Sequence, residues 1–174
     1  MKSYRCTICG EVSLAESAPV NCPFCGVAER YIFATDKVDG DDIFKNRSLS
    51  EESRMNLIQA LNMETHNASF CKCASEKSES EDIRALFKRL AKNEKEHADV
   101  IRKYLELDAI EFLEEECGID DIENIDRAID AAKETMKFYK DAAIETTESK
   151  ISILFKALAE VEEGYLKVLN TAKK

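Results

Sequence analysis

Four cysteines within the first 25 residues are spaced Cys6-x2-Cys9-x12-Cys22-x2-Cys25, and a glycine follows each pair, as Gly10 and Gly26. Two x2 pairs form two tight knuckles whose thiolates can converge tetrahedrally on one metal ion. A glycine after the second cysteine of a pair lets the backbone turn through positive φ, so that amides point back at sulfur. Thiolate ligands suit zinc, which would only staple a small fold. They equally suit iron, which would pass one electron at a time; spacing does not separate the two.

A second set of chemistry-bearing residues lies on helical patterns further along. Glu94-x2-His97 puts a carboxylate and an imidazole on one helix face, where both can converge on a metal. Glu64 and Glu162 occupy the apolar stripes of two other predicted helices. Charged groups on interior faces are costly unless paired or metal-bound. Metal ligation by Glu64, Glu94, His97 and Glu162 is therefore one reading, and a metal-free buried network the other. His66, two residues past Glu64, is expected to face outward. The charge runs at 76–82 and 114–116 are expected to be solvated.

The elements that must position these residues follow from composition and periodicity. Only two prolines and five glycines occur in 174 residues, and all but two of them precede residue 41. The remainder is expected to be almost entirely helical. Residues 1–36 hold both knuckles. The polar stretch 37–47, with Gly40, reads as a linker. From residue 48 to 174 the pattern is helical. Ser48-Leu49-Ser50-Glu51 fits a capping box, and Ser80 can cap the second helix. Leu57, Ala60, Leu61, Glu64, Ala68 and Cys71 mark the first stripe, and Ile83 through Ile101 the second. A crossover over 108–121 precedes a third helix from about Ile122, and Thr146-Thr147-Glu148 separates it from a fourth. Two helical hairpins joined by one long connection predict a ferritin-like four-helix bundle.

The net charge of -10 and pI of about 4.9 argue against a nucleic-acid or anionic-membrane partner. No apolar run approaches the roughly 20 residues of a membrane span. Met1-Lys2-Ser3-Tyr4 leads straight into the cysteine module without a signal-peptide pattern. Cysteines in metal-site spacing point to a reducing compartment, hence to a cytoplasmic location.

The hairpins form an internal repeat. Phe87 to His97 parallels Phe155 to Tyr165, so Glu94 matches Glu162 and His97 matches Tyr165. Ala60-x3-Glu64-x5-Phe70-Cys71 parallels Ala128-x3-Ala132-x5-Phe138-Tyr139. Thirty residues separate Glu64 from Glu94, and likewise Ala132 from Glu162.

The cysteine module, with Tyr4, Pro19, Pro23-Phe24, Tyr31 and Phe33 around its knuckles, resembles a rubredoxin domain of the short form fused to rubrerythrins. Residues 48–172 resemble the ferritin-like domain of the rubrerythrin family. The resemblance implies a carboxylate-bridged di-iron site, built from one Glu on the first helix and a Glu-x-x-His on the second helix of each hairpin. It implies catalytic and metal-binding roles for Glu64, Glu94, His97 and Glu162, beside one thiolate-bound iron at Cys6, Cys9, Cys22 and Cys25. The second half of the site departs from the family pattern. Ala132 stands where the third-helix Glu is expected, and Tyr165 where the His is expected. Tyr165 and Glu134 are the substitute ligands to consider, Glu134 only through a π-bulge. The bundle is thus expected to hold one or two non-haem irons.

The activity implied is reduction of hydrogen peroxide, with electrons from an external reductase relayed through the rubredoxin-like iron, in a homodimer whose modules sit on partner bundles. The alternative is a redox or metal sensor, or an electron carrier, with a degenerate bundle site. Cys71, at the position of a family tyrosine, reads as a small buried residue or as a thiol near the metal. Cys73 and Cys117 are left unassigned.

Overall fold

The computed structural model describes residues 1–45 and 48–174. Asn46 and Arg47, at the end of the expected linker, lie outside the described residues. The N-terminal module is a three-stranded antiparallel sheet, with β1 (Lys2–Cys6) between β2 (Val12–Ala15) and β3 (Ile32–Ala34). The register pairs Arg5 with Val12 and Cys6 with Ile32, so β1 delivers its last residue directly into the first knuckle. Short 3-10 turns at Glu29–Tyr31, Thr35–Lys37 and Gly40–Asp42 carry the chain toward the bundle. Part of the stretch read as a linker touches the bundle. Ile43 is buried, and the Tyr104 hydroxyl donates to its carbonyl at 3.3 Å.

Four long helices follow: α1 (Glu51–Lys77), α2 (Glu81–Leu105), α3 (Asp121–Glu145) and α4 (Ser149–Ala172). α1 packs along α2, α3 along α4, and α1 also lies against α3. Helix α2 ends at Glu106, which takes the left-handed conformation at φ 57°. Residues 106–120 make the crossover, and Asp120 caps α3 by accepting from the Glu123 amide at 2.9 Å. No helix among the described residues is long and apolar enough to cross a membrane. The buried residues of the module, among them Ile8, Val27 and Ile32, form one continuous cluster with Leu57, Ile101, Leu154 and Phe155 of the bundle.

One start signal is placed differently from its expectation. The cap of α1 is Ser50, whose hydroxyl accepts from the Ser53 amide at 3.1 Å. The carboxylate that answers it is Glu148, far along the chain, which accepts from the Ser50 amide at 2.5 Å and from the Ser53 hydroxyl. A capping box needs only a carboxylate over the free amide, and tertiary packing supplies it here from the start of α4. Cys73 on α1 and Cys117 in the crossover are joined by a disulfide, with Cα atoms 5.9 Å apart. The Lys77 amine donates to the Cys117 carbonyl at 2.9 Å, and exposed His66 pairs with Glu115 at 2.7 Å. The crossover is therefore fastened along the outer face of α1.

Two outcomes follow for stability. Burial acts to raise the Glu148 pKa, but hydrogen bonds from Ser53 and Ser50 overcome it and hold the group at about 2. Its folded pKa lies below the unfolded one, so its contribution is complete above the ordinary carboxylate range and is lost as pH falls toward 2. Glu148→Gln should cost about 1 kcal/mol near neutral pH, allowing for solvent screening. Its difference from wild type should vanish as unfolding is followed down to pH ~2. Reducing the disulfide, which spans 44 residues, should cost about 2–4 kcal/mol in urea unfolding. A Cys117→Ser variant should match the reduced wild type.

Candidate metal centres

The four cysteines of the module come together as their spacing predicts. Cys6, Cys9, Cys22 and Cys25 are buried, and their sulfurs all lie within 4.8 Å of one another. Two edges of the tetrad measure 3.8 Å (Cys6 to Cys25) and 3.7 Å (Cys9 to Cys22). A tetrahedron with metal–sulfur bonds of about 2.3 Å has edges of about 3.8 Å, so the cage fits one thiolate-bound ion. Its chemistry asks for a cation. The Cys22 thiol is pushed down by hydrogen bonds from Cys25, Cys6 and Cys9, while Cys9 is pushed up, first by its bond with Cys22. Four crowded sulfurs cannot all become anionic without a positive charge among them. Gly10 and Gly26 sit at φ 82° and 81°, as the knuckles require. Their amides donate to the carbonyls of Cys6 at 2.9 Å and Cys22 at 3.0 Å. Gly26 also meets the bundle: a Cβ there would lie 3.1 Å from Asn93 Nδ2 on α2 and 3.5 Å from Val161 on α4.

The second centre lies inside the bundle. α1 contributes Glu64, α2 contributes Glu94 and His97, and α4 contributes Glu162, with one ligand atom from each within 4.8 Å of the others. All four are buried, Glu64 and His97 completely. His97 Nδ1 is 3.1 Å from Glu94 Oε2 and 3.4 Å from Glu64 Oε2. Its Nε2 is 2.7 Å from the backbone carbonyl of Cys25. A carbonyl can only accept, so Nε2 carries a proton. Burial alone would lower the His97 pKa, but Glu64 and then Glu94 push it well up, so without an ion Nδ1 is protonated too and donates to the carboxylates; a bound cation would take the place of that proton. The Tyr139 hydroxyl donates to Glu64 Oε1.

Burial acts to raise the Glu64 pKa, yet His97, Glu94 and Tyr139 bring it below the usual range. Burial and then the Glu64 charge push Glu94 well up; burial and then Glu94 do the same to Glu162. Neither oxygen of Glu162 has a hydrogen-bond partner among the described residues. An unpartnered buried carboxylate facing two others and an imidazole is the donor set of a cation site.

The other candidate ligands are not drawn in. Glu134 is exposed on α3, which runs as an uninterrupted α-helix without the π-bulge that could turn it inward. Two residues past an inward position the helix has rotated by about 200°, so Glu134 points to solvent. Tyr165 is half-buried, and its hydroxyl lies in the interior with no hydrogen-bond partner. Cys71 is buried, and its sulfur is not among the converging ligand atoms. The residues present fit one ion in the bundle. They do not supply the ligand set of a carboxylate-bridged pair. Tyr139 as the donor to Glu64 was missed from sequence, although the repeat that aligns Phe70-Cys71 with Phe138-Tyr139 contains the signal. The contact between Cys25 and His97 leaves no trace in sequence.

A four-cysteine module seated on a helical bundle, with a histidine–carboxylate cluster inside that bundle, defines a ferritin-like non-haem metal protein. The rubrerythrin family matches residues 55–173, and the rubredoxin-like domain of rubrerythrin matches residues 4–32. The chain belongs to the rubrerythrin family, here with the rubredoxin-like module at the N-terminal side. Among solved structures it is similar to a hypothetical protein from Pyrococcus furiosus, at 23% identity and a TM-score of 0.60, over 70% of this chain and 87% of that one. It is also similar to a two-domain protein from Anabaena variabilis with DJ-1/ThiJ/PfpI-like and ferritin-like domains. That match has 18% identity and a TM-score of 0.65, over 78% of this chain and 45% of that one. At these identities the likeness shows the fold. No curated protein matches the chain.

The two centres should be separable by mutation. Cys9→Ser or Cys22→Ser should remove one equivalent of metal and leave the helical far-UV signal nearly unchanged. His97→Ala should remove the bundle ion and spare the tetrad, whereas Glu134→Ala should change neither. Metal analysis of each purified variant checks this assignment.

Proposed function

We propose that this protein reduces hydrogen peroxide to water, using two electrons and two protons per peroxide. An external one-electron reductase supplies the electrons through the four-cysteine module. The observation that carries this reading is the 2.7 Å hydrogen bond between His97 Nε2 and the Cys25 carbonyl. One imidazole faces the carboxylate cluster with one nitrogen and holds a cysteine ligand's own peptide with the other. Iron, when bound at the two centres, supplies one-electron oxidation and reduction.

The chain's own residues do the rest. The Cys25 carbonyl keeps the proton on Nε2 and fixes the ring orientation, as outer partners of metal-binding histidines do. Tyr139 holds the far oxygen of Glu64, and the stacking of its ring on Phe155, with centroids 5.6 Å apart, holds Tyr139. The Tyr139 and Tyr165 hydroxyls are proton-bearing groups at the carboxylates. Both have pKa values raised by burial and then by those carboxylates, so they stay protonated at neutral pH. Complete burial of Glu64 and His97 excludes bulk water from the cluster.

The module is seated on the bundle of its own chain. Besides the contact of His97 with Cys25, Arg30 pairs with Glu160 of α4, and Gly26 rests on Asn93 and Val161. These contacts support a relay that runs from module to bundle within one chain. The alternative, a sensor or carrier with a degenerate bundle site, draws on Ala132 and Tyr165.

Reduced iron-loaded protein mixed anaerobically with peroxide decides between them. We expect the visible thiolate-to-iron absorption of the tetrad to return at a rate independent of protein concentration, with one peroxide consumed per two electrons. Gly26→Ala should keep both metals but slow that return several-fold, because a methyl group there pushes against Asn93. If the tetrad reoxidises no faster in wild type than in His97→Ala, the peroxide reading is overturned and the carrier reading stands.

A further inference from the structure

The departures from the family pattern coincide in space. The internal repeat matches Glu64 with Ala132, His97 with Tyr165, and Tyr139 with Cys71. In one half of the bundle the first member of each pair makes a connected unit: Tyr139 donates to Glu64, and Glu64 lies 3.4 Å from His97. In the other half Ala132, Tyr165 and Cys71 line one cavity of about 10 Å³ against Glu94 and Glu162. That is about the room one water molecule needs. The Ala132 methyl cannot ligate. Tyr165 offers a neutral hydroxyl where the repeat would place an imidazole. Cys71 lacks the hydroxyl with which Tyr139 steadies Glu64.

We propose that the bundle of this protein is a single-ion site: Glu64, Glu94, His97 and Glu162 hold one divalent cation, and the Ala132–Tyr165–Cys71 pocket excludes a second. Glu94 and Glu162, which would bridge a pair, instead serve one ion from both sides. The three replacements act together. The missing carboxylate removes a charge, the missing imidazole removes a donor, and the missing tyrosine hydroxyl removes the group that would orient the carboxylate. The proposal rests on the bundle being a metal site but not on peroxide turnover, so counting ions and measuring turnover can fail separately.

The test is manganese(II) loading of the full-length protein whose tetrad is already filled with zinc. Ions are counted by elemental analysis, and the signal is read by electron paramagnetic resonance. Wild type should take up one Mn(II) per chain and give the six-line spectrum of an isolated ion. His97→Ala should lose it. The triple variant Ala132→Glu, Tyr165→His, Cys71→Tyr should take up two and give the broadened spectrum of a coupled pair. Two coupled Mn(II) ions in wild type, or none, would overturn the proposal. So would a folded triple variant, by far-UV circular dichroism, that still binds one. If the triple variant does not fold, the wild-type count and spectrum decide alone.

Discussion

Three carboxylates and one imidazole are buried together in the middle of this bundle, and the rest of the structure is arranged around that burden. Taking an isolated charge out of water costs far more than any single packing contact returns. The cluster can persist only if its charges are shared among partners or balanced by a cation. Glu64 is answered by His97 and Tyr139. Glu94 is answered by His97. Glu162 has no partner of its own, and this is the side of the cluster that a cation must balance. Buried aromatic packing around it, with Tyr139 stacked on Phe155 and Phe70 edge-on to Phe87, keeps the carboxylates in place.

The same constraint explains how the small module is tied to the large one. A buried imidazole must satisfy both nitrogens. His97 turns one toward the carboxylates and gives the other to a backbone carbonyl of the second knuckle. The knuckle can approach that closely only because residue 26 has no side chain. Positive φ at Gly26 thus serves two needs, the turn behind Cys25 and the contact with Asn93 and Val161. The buried residues of module and bundle accordingly form a continuous cluster, and the segment between them is held through Ile43 and Tyr104.

Inverted roles at matched positions are a feature of this chain. The two hairpins share a repeat, but the first keeps Glu64 and His97 and has Cys71 at the tyrosine position, while the second keeps Tyr139 and has Ala132 and Tyr165 at the ligand positions. A Glu at 132 taken alone would lack an orienting hydroxyl from residue 71. Together, Ala132, Tyr165 and Cys71 leave a small, mostly apolar pocket lined on one side by Glu94 and Glu162, each of which also brings an oxygen to the Glu64–His97 cluster.

Much of this was legible in the amino-acid sequence. The tetrad follows from local spacing, because two x2 pairs and their glycines fold into knuckles without outside help. The helices follow from periodicity. Glu94-x2-His97 is a local geometric fact, and the thirty-residue spacing relates the two hairpins. The helix end governed by Ser80 was equally readable, and the expected start of α3 fell one residue from the Asp121 at which it begins. Contacts between residues far apart in the chain were not. The carboxylate over Ser50 comes from Glu148, the partner of Cys73 is Cys117, and the acceptor for His97 is a main-chain carbonyl, which has no residue type to signal it. The exposure of Glu134 was open only because helix regularity is decided by packing. Sequence determines which groups are available and their local periodicity; the tertiary structure decides which distant groups meet, because each pairing depends on how whole helices settle against one another.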